Sequence, residues 1–209
     1  KYLGVDFSQS MSWATCVKHR VAHGYKAFYS MVQKCKATNL STWKLKKQLF
    51  TSLVRPVALY GVQVWGPTTA QSNWRKVEAI QKLFLEMELG VKTQTPYTLL
   101  LAEAGLLPLE VEALYLTLQY AMRVQALTDS RLPKQAFYAS RASGWYADVC
   151  RWAQAWDLSE HEWHIEPKRL WSLLQCKAVR KLWSDPSPRL QYFIRDVNPM
   201  VLYEEQEYL

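Results

Sequence analysis

Three potential metal ligands follow one another on neighbouring turns of a predicted helix: Cys16, His19 and His23. A thiolate and two imidazoles can hold zinc, but a structural zinc site needs a fourth ligand, and no nearby Cys or His supplies one. The alternative is a thiol in the core with histidines on the surface, which is the commoner arrangement for these residue types. We favour this alternative and predict that the chain binds no stoichiometric zinc.

The acidic residues do not form a set that could hold catalytic metal ions. Nucleotidyl transfer requires carboxylates that bind two metal ions about 3.5–4 Å apart, and the sequence contains no Asp-Asp pair. Its paired acids include Glu86/Glu88, Glu110/Glu112 and Glu204/Glu205. Each pair is most simply a solvated helix face. We therefore predict no catalytic residue and no cofactor in this chain, and Walker, Rossmann and nucleophile-elbow motifs are absent as well.

Positive charge is concentrated near the N-terminus. The chain carries a formal net charge of +8, from 26 Lys/Arg and 18 Asp/Glu. Its first 60 residues hold ten Lys/Arg against one acid, Asp6. A basic segment on a folded domain is the usual electrostatic footprint of nucleic-acid contact. The alternative is a solvated helix surface, which is less favoured because acidic residues normally interleave with the lysines of such surfaces.

Residues 43–66 have the pattern of one long helix bent at Pro56, because proline cannot donate a backbone N–H and its ring crowds the preceding turn. At about 100° per residue, one side of this helix is apolar and would face the core. The apolar positions are Leu45, Leu49, Phe50, Leu53, Val57, Tyr60 and Val64. The opposite side holds the candidate phosphate contacts Lys44, Lys47, Thr51 and Arg55. Lys46 falls on the apolar side and should matter less to binding.

The remaining periodicity predicts a mainly α protein. Residues 1–7 alternate as a short β strand, and residues 6–12 supply turn formers. Helices are predicted over about 13–35, 43–66, 73–89, 96–104, 108–127, 143–157 and 167–183. The four cysteines are widely spaced, which favours free thiols in a reducing compartment. Charged residues interrupt every long apolar window, so no membrane span is expected.

Six tryptophans lie close together in the C-terminal third of the sequence. They are Trp145, Trp152, Trp156, Trp163, Trp171 and Trp183. Such residues could stack on nucleic-acid bases, but large aromatic side chains mainly fill cores and interfaces. We favour a small helical core built from these indoles.

Several short motifs, in order, resemble one family. Residues 52–56 (SLVRP), with Tyr60-Gly61 and Trp65-Gly66, are similar to the region that follows the polymerase core in non-LTR (LINE-type) retrotransposon reverse transcriptases. Residues 1–5 (KYLGV) resemble that family's primer-grip turn, and residues 102–109 (AEAGLLPL) resemble a segment of its thumb region. Residues 186–190 (PSPRL) and 207–209 (EYL) resemble its tail after the thumb. A departure lies at Cys16, where the family pattern that begins at Trp13 has a histidine.

The resemblance implies substrate handling rather than chemistry. The family's catalytic carboxylates belong to the palm, which would precede Lys1, so this chain is expected to be an excerpt that is inactive alone. Tyr2, Leu3 and Gly4 would lie in the turn that positions the primer end, and the helices that follow would grip the primer–template duplex. The full-length parent would copy element RNA into DNA with Mg²⁺ and deoxynucleoside triphosphates, in the nucleus and cytoplasm.

These observations give one interpretation and one rival. The chain is interpreted as the end of the palm with its primer-grip turn (1–12), a helical thumb-like domain (13–127) and a smaller Trp-rich helical region with a tail (128–209). Its expected partners are RNA, the RNA–DNA primer–template duplex, and the remaining palm and fingers of the parent polymerase, with no membrane. The rival is a helical protein-interaction module, a remnant or domesticated fragment whose basic face meets an acidic protein.

Overall fold

A computed structural model describes residues 4–9 and 12–184, except for the side chain of Trp183. The chain divides into two compact units, Lys1–Thr93 and Gln94–Leu209. Helices dominate both units, so the prediction of a mainly α protein is confirmed. The predicted N-terminal strand is wrong, because within the described residues Val5 makes only an isolated β-bridge. Gly4, with φ of 81°, turns the backbone away from the extended conformation that a strand requires.

The first unit is built from three helical segments, the second of them bent, and one short helix. Its helices are α1 (Ala14–Ala37), α2 (Trp43–Leu49), a π-helical turn (Phe50–Val54), α3 (Arg55–Ala58), α4 (Val62–Trp65) and α5 (Gln71–Leu89). The π-helical turn joins α2 to α3, and together they form the bent helix that the sequence predicts around Pro56. α1 packs against α5, the π-helical turn and α3. α5 ends at Gly90, whose φ of 63° closes the helix as predicted.

Aromatic rings from all three segments meet in the core of the first unit. The ring of Phe84 on α5 stacks on Phe50 of the π-helical turn, with centroids 4.3 Å apart and an interplanar angle of 10°. Trp43 stacks on the same ring at 5.6 Å, and Phe28 of α1 meets it edge-on at 6.5 Å. Phe84 is therefore the side chain that connects α1, the bent helix and α5.

The bent helix does not bury the stripe that the sequence predicts. The buried residues follow four-residue steps through the bent helix and into α4: Phe50, Val54, Ala58 and Val62. Four members of the predicted stripe are instead exposed, namely Leu45, Leu53, Tyr60 and Val64. The π-helical turn holds more residues per turn than an α-helix. A projection that assumes about 100° per residue therefore assigns residues in and after this turn to the wrong side of the helix. Gly61, with φ of 70°, then interrupts the helix before Val62.

Gly24 lies where α1 crosses the bent helix and α5. A Cβ atom at this position would lie 2.6 Å from Cδ1 of Ile80 and 3.2 Å from Cβ of Ala58. Ile80 and Ala58 are both buried, so neither neighbour has open space beside it. A glycine inside a helix ordinarily weakens it by roughly 0.5–1 kcal/mol relative to alanine. Here the missing side chain allows the three segments to approach closely.

The second unit is arranged around one long helix. Its elements are α6 (Tyr97–Ala104), α7 (Leu109–Gln125), α8 (Leu132–Ala139), α9 (Trp145–Ala155), a 3₁₀ turn (Glu160–Glu162) and α10 (Pro167–Trp183). α8, α9 and α10 all pack against α7. The sequence predicts α6, α7, α9 and α10 within a few residues but misses α8. The break between compact units falls after Thr93, and the domain bounds 1–12, 13–127 and 128–209 stay a prediction.

Three of the clustered tryptophans belong to the core of the second unit. Trp152, Trp156 and Trp163 are buried. The indole Nε1 of Trp152 donates a hydrogen bond of 3.0 Å to Oε1 of Glu110, a carboxylate that is itself buried in the first turn of α7. Core packing is therefore the correct interpretation for these three rings. Trp183, whose side chain lies outside the described part, is left as a prediction.

Glu162 gives the second unit a specific acid sensitivity. Lys177 donates to Glu162 Oε1 at 2.7 Å, and the Ser159 amide donates to Oε2 at 2.7 Å. These hydrogen bonds, that of Lys177 foremost, lower the pKa of Glu162 to about 2. The stability contributed by this carboxylate is therefore full above its ordinary pKa of about 4.3 and is lost as the pH falls toward 2.

Replacing Lys177 by Met should raise the pKa of Glu162 toward its ordinary value and remove part of that acid-dependent stability. Carboxyl-carbon NMR titration of Glu162, together with acid unfolding, measures both effects. Lys168→Met is the matched control, because Lys168 is an exposed lysine of the same helix. An unchanged Glu162 titration in Lys177→Met, or an equal shift in Lys168→Met, would contradict the expected result.

Candidate nucleic-acid interface

The two compact units differ in net charge. Residues 1–93 hold fourteen Lys/Arg and four Asp/Glu, a net charge of +10. Residues 94–209 hold twelve Lys/Arg and fourteen Asp/Glu, a net charge of −2. The positive charge of the whole chain therefore belongs to the first unit. Such a charge attracts anions.

Exposed lysines lie along α1 and at the start of α2. They are Lys18, Lys26, Lys34, Lys36 and Lys44. Lys34 and Lys36 occupy the last turn of α1, and Lys44 follows within the first turn of α2. No acidic residue occurs between Asp6 and Glu78. The corner between α1 and α2 is consequently a surface rich in ammonium groups, which suits contact with phosphate.

Lys44 and Lys47, two of the predicted contacts, differ in their surroundings. Lys44 is exposed, as the sequence predicts. Lys47 is half-buried, and burial followed by the positive charge of Arg55 lowers the pKa of its ammonium group. A phosphate bound beside Lys47 would counter this lowering, since an anion favours the charged form of a lysine.

Thr51 and Arg55, the other predicted contacts on this helix, both form hydrogen bonds within the protein, although Thr51 is exposed. Thr51 Oγ1 donates its one proton to the carbonyl oxygen of Lys47 at 2.9 Å. Arg55 Nη2 donates to Oε1 of Gln81 on α5 at 3.3 Å, and Gln81 is fully buried. The outward orientation predicted for Arg55 is therefore wrong. The drift introduced by the π-helical turn, immediately before Arg55, accounts for the error.

Lys46 forms an ion pair that the sequence does not predict. Its Nζ lies 2.9 Å from Oε2 of Glu88 on α5, and both side chains are mostly screened from solvent. That Lys46 matters less to nucleic-acid binding stays a prediction. The structure gives it a different physical basis, a carboxylate partner rather than burial among apolar residues.

The turn at Gly4 rests against the end of the bent helix. A Cβ at Gly4 would lie 3.0 Å from Cε1 of Tyr60, and a Cβ at Gly61 would lie 2.9 Å from Cγ2 of Val5. Two motifs far apart in the sequence, Gly4-Val5 and Tyr60-Gly61, are thus in direct contact. Tyr2 and Leu3, the other residues predicted for this turn, lie outside the described residues.

Arg20 fixes this contact, a role that the sequence patterns do not predict. Its Nη2 donates to the carbonyl oxygen of Gly4 at 3.1 Å, and its guanidinium carbon lies 5.3 Å from the centroid of the Tyr60 ring. Arg20 is buried, and its Nε has no partner among the described residues. A signal exists in the sequence, since Arg20 is a charged residue one turn from both Cys16 and Gly24 on the buried side of α1.

Comparison with known proteins gives one partial match. A stretch of 81 residues, 39% of this chain, is 25% identical to the probable RNA-directed DNA polymerase from transposon BS of Drosophila melanogaster. The chain contains a segment related to a transposon reverse transcriptase. The match covers 9% of that polymerase's length. No protein-family model matches the chain, and no solved structure matches it significantly.

The potential zinc ligands do not come together. Cys16 is fully buried, and burial raises the pKa of its thiol, which disfavours the thiolate that zinc requires. His19 Nδ1 lies 2.9 Å from Oδ2 of Asp6, while His23 is exposed. In the part of the chain that the structure describes, no three His, Cys, Asp or Glu side chains cluster as metal ligands would.

All four cysteines are free, as their spacing predicts.

Within residues 4–9 and 12–184, no helix is both long enough and apolar enough to cross a membrane.

Proposed function

We propose that this chain is the primer-grip and thumb segment of a retrotransposon RNA-directed DNA polymerase, and that it grips the primer–template duplex without catalysing nucleotidyl transfer itself. The observation that carries the proposal is the separation of charge, with +10 in the first compact unit and −2 in the second. The partial match to a transposon RNA-directed DNA polymerase supports the same function.

The proposed contacts join lysine side chains of the protein to phosphate groups of the nucleic-acid backbone. Lysines that contact the nucleic-acid backbone supply affinity without reading sequence, as a polymerase that moves along its template requires. Lys44 and Lys47 are the proposed contacts on the bent helix, and Lys34 and Lys36 in the last turn of α1 are further candidates. Arg55 supports this surface through its hydrogen bond to Gln81 of α5, and the exposed Thr51 bonds to the carbonyl oxygen of Lys47.

The remaining parts of the parent polymerase complete the activity. Its palm would carry the carboxylates that bind Mg²⁺, and the turn at Gly4, held by Arg20 against Tyr60, would adjoin the primer end. The proposed partners are RNA, the RNA–DNA duplex and the parent's palm and fingers. The proposed sites of action are the nucleus and the cytoplasm.

Single substitutions on α2 test the proposed phosphate contacts of Lys44 and Lys47. Lys44→Ala and Lys47→Ala should each weaken RNA–DNA hybrid binding by a similar factor for every sequence, because phosphate contacts carry no sequence information. Each should also reduce the slope of log K against log salt by about 0.9, the value for one lost phosphate contact. Fluorescence anisotropy titrations at several salt concentrations measure both quantities.

The ion pair between Lys46 and Glu88 provides a control in which the net charge does not change. The double variant Lys46→Ala, Glu88→Ala removes one positive and one negative charge from the same helices and should leave the slope unchanged. If the double variant lowers the slope as much as Lys44→Ala does, or if all variants leave it unchanged, α2 does not contact phosphate.

A protein-interaction module is the second candidate, favoured by exposed apolar side chains along residues 45–64. Leu45 of α2, Leu53 of the π-helical turn, Tyr60 of the turn after α3 and Val64 of α4 are 38–50% exposed. A protein partner docked there would lose affinity on Leu53→Ser but would show little salt dependence.

A further inference from the structure

A groove between α1 and α5 lies apart from the lysines of α2. Its volume is about 440 Å³, within the roughly 300–1,000 Å³ of typical small-ligand sites. Ala14, Val21 and Ala79 give it a mainly apolar lining. Lys18 stands on the α1 wall and Lys76 on the α5 wall. A ligand in this groove would meet an apolar surface between two ammonium groups.

The positive charge of the groove is not offset by its lining. Lys18 and Lys76 are both exposed. Lys76 Nζ donates to Oδ1 of Asn73 at 3.0 Å, and this neutral amide leaves the ammonium charge in place. None of the described residues that line the groove is acidic. The groove therefore favours an anion, and it lies in the unit with a net charge of +10.

An aromatic platform forms one side of the groove. The Tyr25 ring, which lines the groove, stacks on Tyr29 with centroids 6.4 Å apart and an interplanar angle of 24°. Burial raises the pKa of Tyr25, so its phenol is neutral at physiological pH. A flat, neutral ring beside two cations is the combination that proteins use for single-stranded nucleic acid.

We propose that this groove binds one unpaired nucleotide of a single strand. The base lies on the apolar lining against Tyr25, and Lys18 and Lys76 hold the phosphates on either side of it. A base inside a duplex cannot enter, because it is paired and stacked on its neighbours. The groove would thus hold unpaired template beside the duplex gripped by α2. This inference rests on the proposed function, since it supplies a second subsite for the same substrate.

Substitutions at Tyr25 test the stacking. Anisotropy titrations with labelled 12-nucleotide oligouridylate and oligoadenylate RNA provide the affinities. Tyr25→Leu should weaken both by about tenfold, because a stacked base contributes about 1–3 kcal/mol. Tyr25→Phe, which keeps the ring, should retain the affinity of the unmodified chain. Neither change should alter the binding of a fully paired RNA–DNA hybrid.

Substitutions at the two lysines test the phosphate contacts. Lys18→Ala and Lys76→Ala should each lower the salt slope for the single strands by about 0.7, the value for one contact on single-stranded nucleic acid. Lys26→Ala and Arg75→Ala remove the same charge from exposed positions of α1 and α5 that do not line the groove. These two controls should change the slope much less.

The outcomes separate this inference from the proposed function. Unchanged single-strand affinity in Tyr25→Leu, or equal slope losses in the controls, overturns the groove proposal while hybrid binding upholds the duplex grip. A chain that binds neither hybrid nor single strand overturns both. A glutamate-rich peptide that binds in place of RNA, and is lost on Lys18→Ala, shows that the groove serves a protein instead.

Discussion

Replacing Phe84 by Ala is expected to destabilise the first unit by about 3–5 kcal/mol, the usual cost of removing a buried phenylalanine from a packed core. Phe84 is fully buried and contacts the rings of Phe50, Trp43 and Phe28, which come from the two other segments of that unit. Its removal opens a cavity where all three meet. Urea unfolding followed by circular dichroism measures the free energy of unfolding.

Met87→Ala is the matched control for this substitution. Met87 lies three residues further along α5, and 46% of its surface is exposed, so its truncation should change the free energy of unfolding by less than about 0.5 kcal/mol. A loss in Phe84→Ala no larger than that in Met87→Ala would mean that the aromatic stack does not hold the three segments together.

Replacing Gly24 by Leu is expected to destabilise the same unit by about 3 kcal/mol, at the upper end of the usual cost of overpacking. Even a Cβ at this position would lie 2.6 Å from Ile80 Cδ1 and 3.2 Å from Ala58 Cβ. A leucine must therefore separate α1 from both neighbouring segments. The same urea unfolding experiment provides the measurement.

Ala22→Leu tests whether the effect of Gly24→Leu comes from position rather than from residue type. Ala22 is an exposed residue of α1, two positions away. Leucine has high helix propensity, so Ala22→Leu should leave the free energy of unfolding nearly unchanged. Unchanged stability in Gly24→Leu would show that α1 does not cross its neighbours as closely as the structure indicates.

Most helix boundaries could be predicted from local signals in the sequence. Gly90 and Gly105 adopt positive φ after α5 and α6, as the predicted stops require. Pro108 precedes α7 and Pro167 begins α10, where a missing backbone N–H costs nothing. These signals act within one helical turn, so no knowledge of the tertiary structure is needed to interpret them.

The buried side of the bent helix could not be predicted in the same way. A projection of the sequence assumes constant turn per residue, and the π-helical turn at Phe50–Val54 violates that assumption. Thr51 and Ser52 donate to the carbonyl oxygens of Lys47 and Gln48 there, a pattern that often bends helices. Lys44 keeps its predicted exposure because it precedes the turn, whereas Arg55, which follows it, does not.

Contacts between residues that are far apart in the sequence also could not be predicted. The Lys46–Glu88 pair joins residues 42 positions apart, and the bond from Arg20 to Gly4 spans 16 positions. The groove between α1 and α5 has no signature in either helix alone, since Lys18 and Lys76 become neighbours only when the helices pack. Charge segregation could be seen in the sequence because it depends on composition.

The salt dependence of RNA–DNA hybrid binding by the intact chain tests phosphate gripping most directly. Affinities are measured for several hybrids of unrelated sequence between low and moderate salt. We expect parallel lines of log K against log salt with a slope of about −2 to −4, the value for two to four phosphate contacts. Affinities that differ more than about tenfold among sequences, or that do not change with salt, would contradict a non-specific grip by the lysines of the first unit.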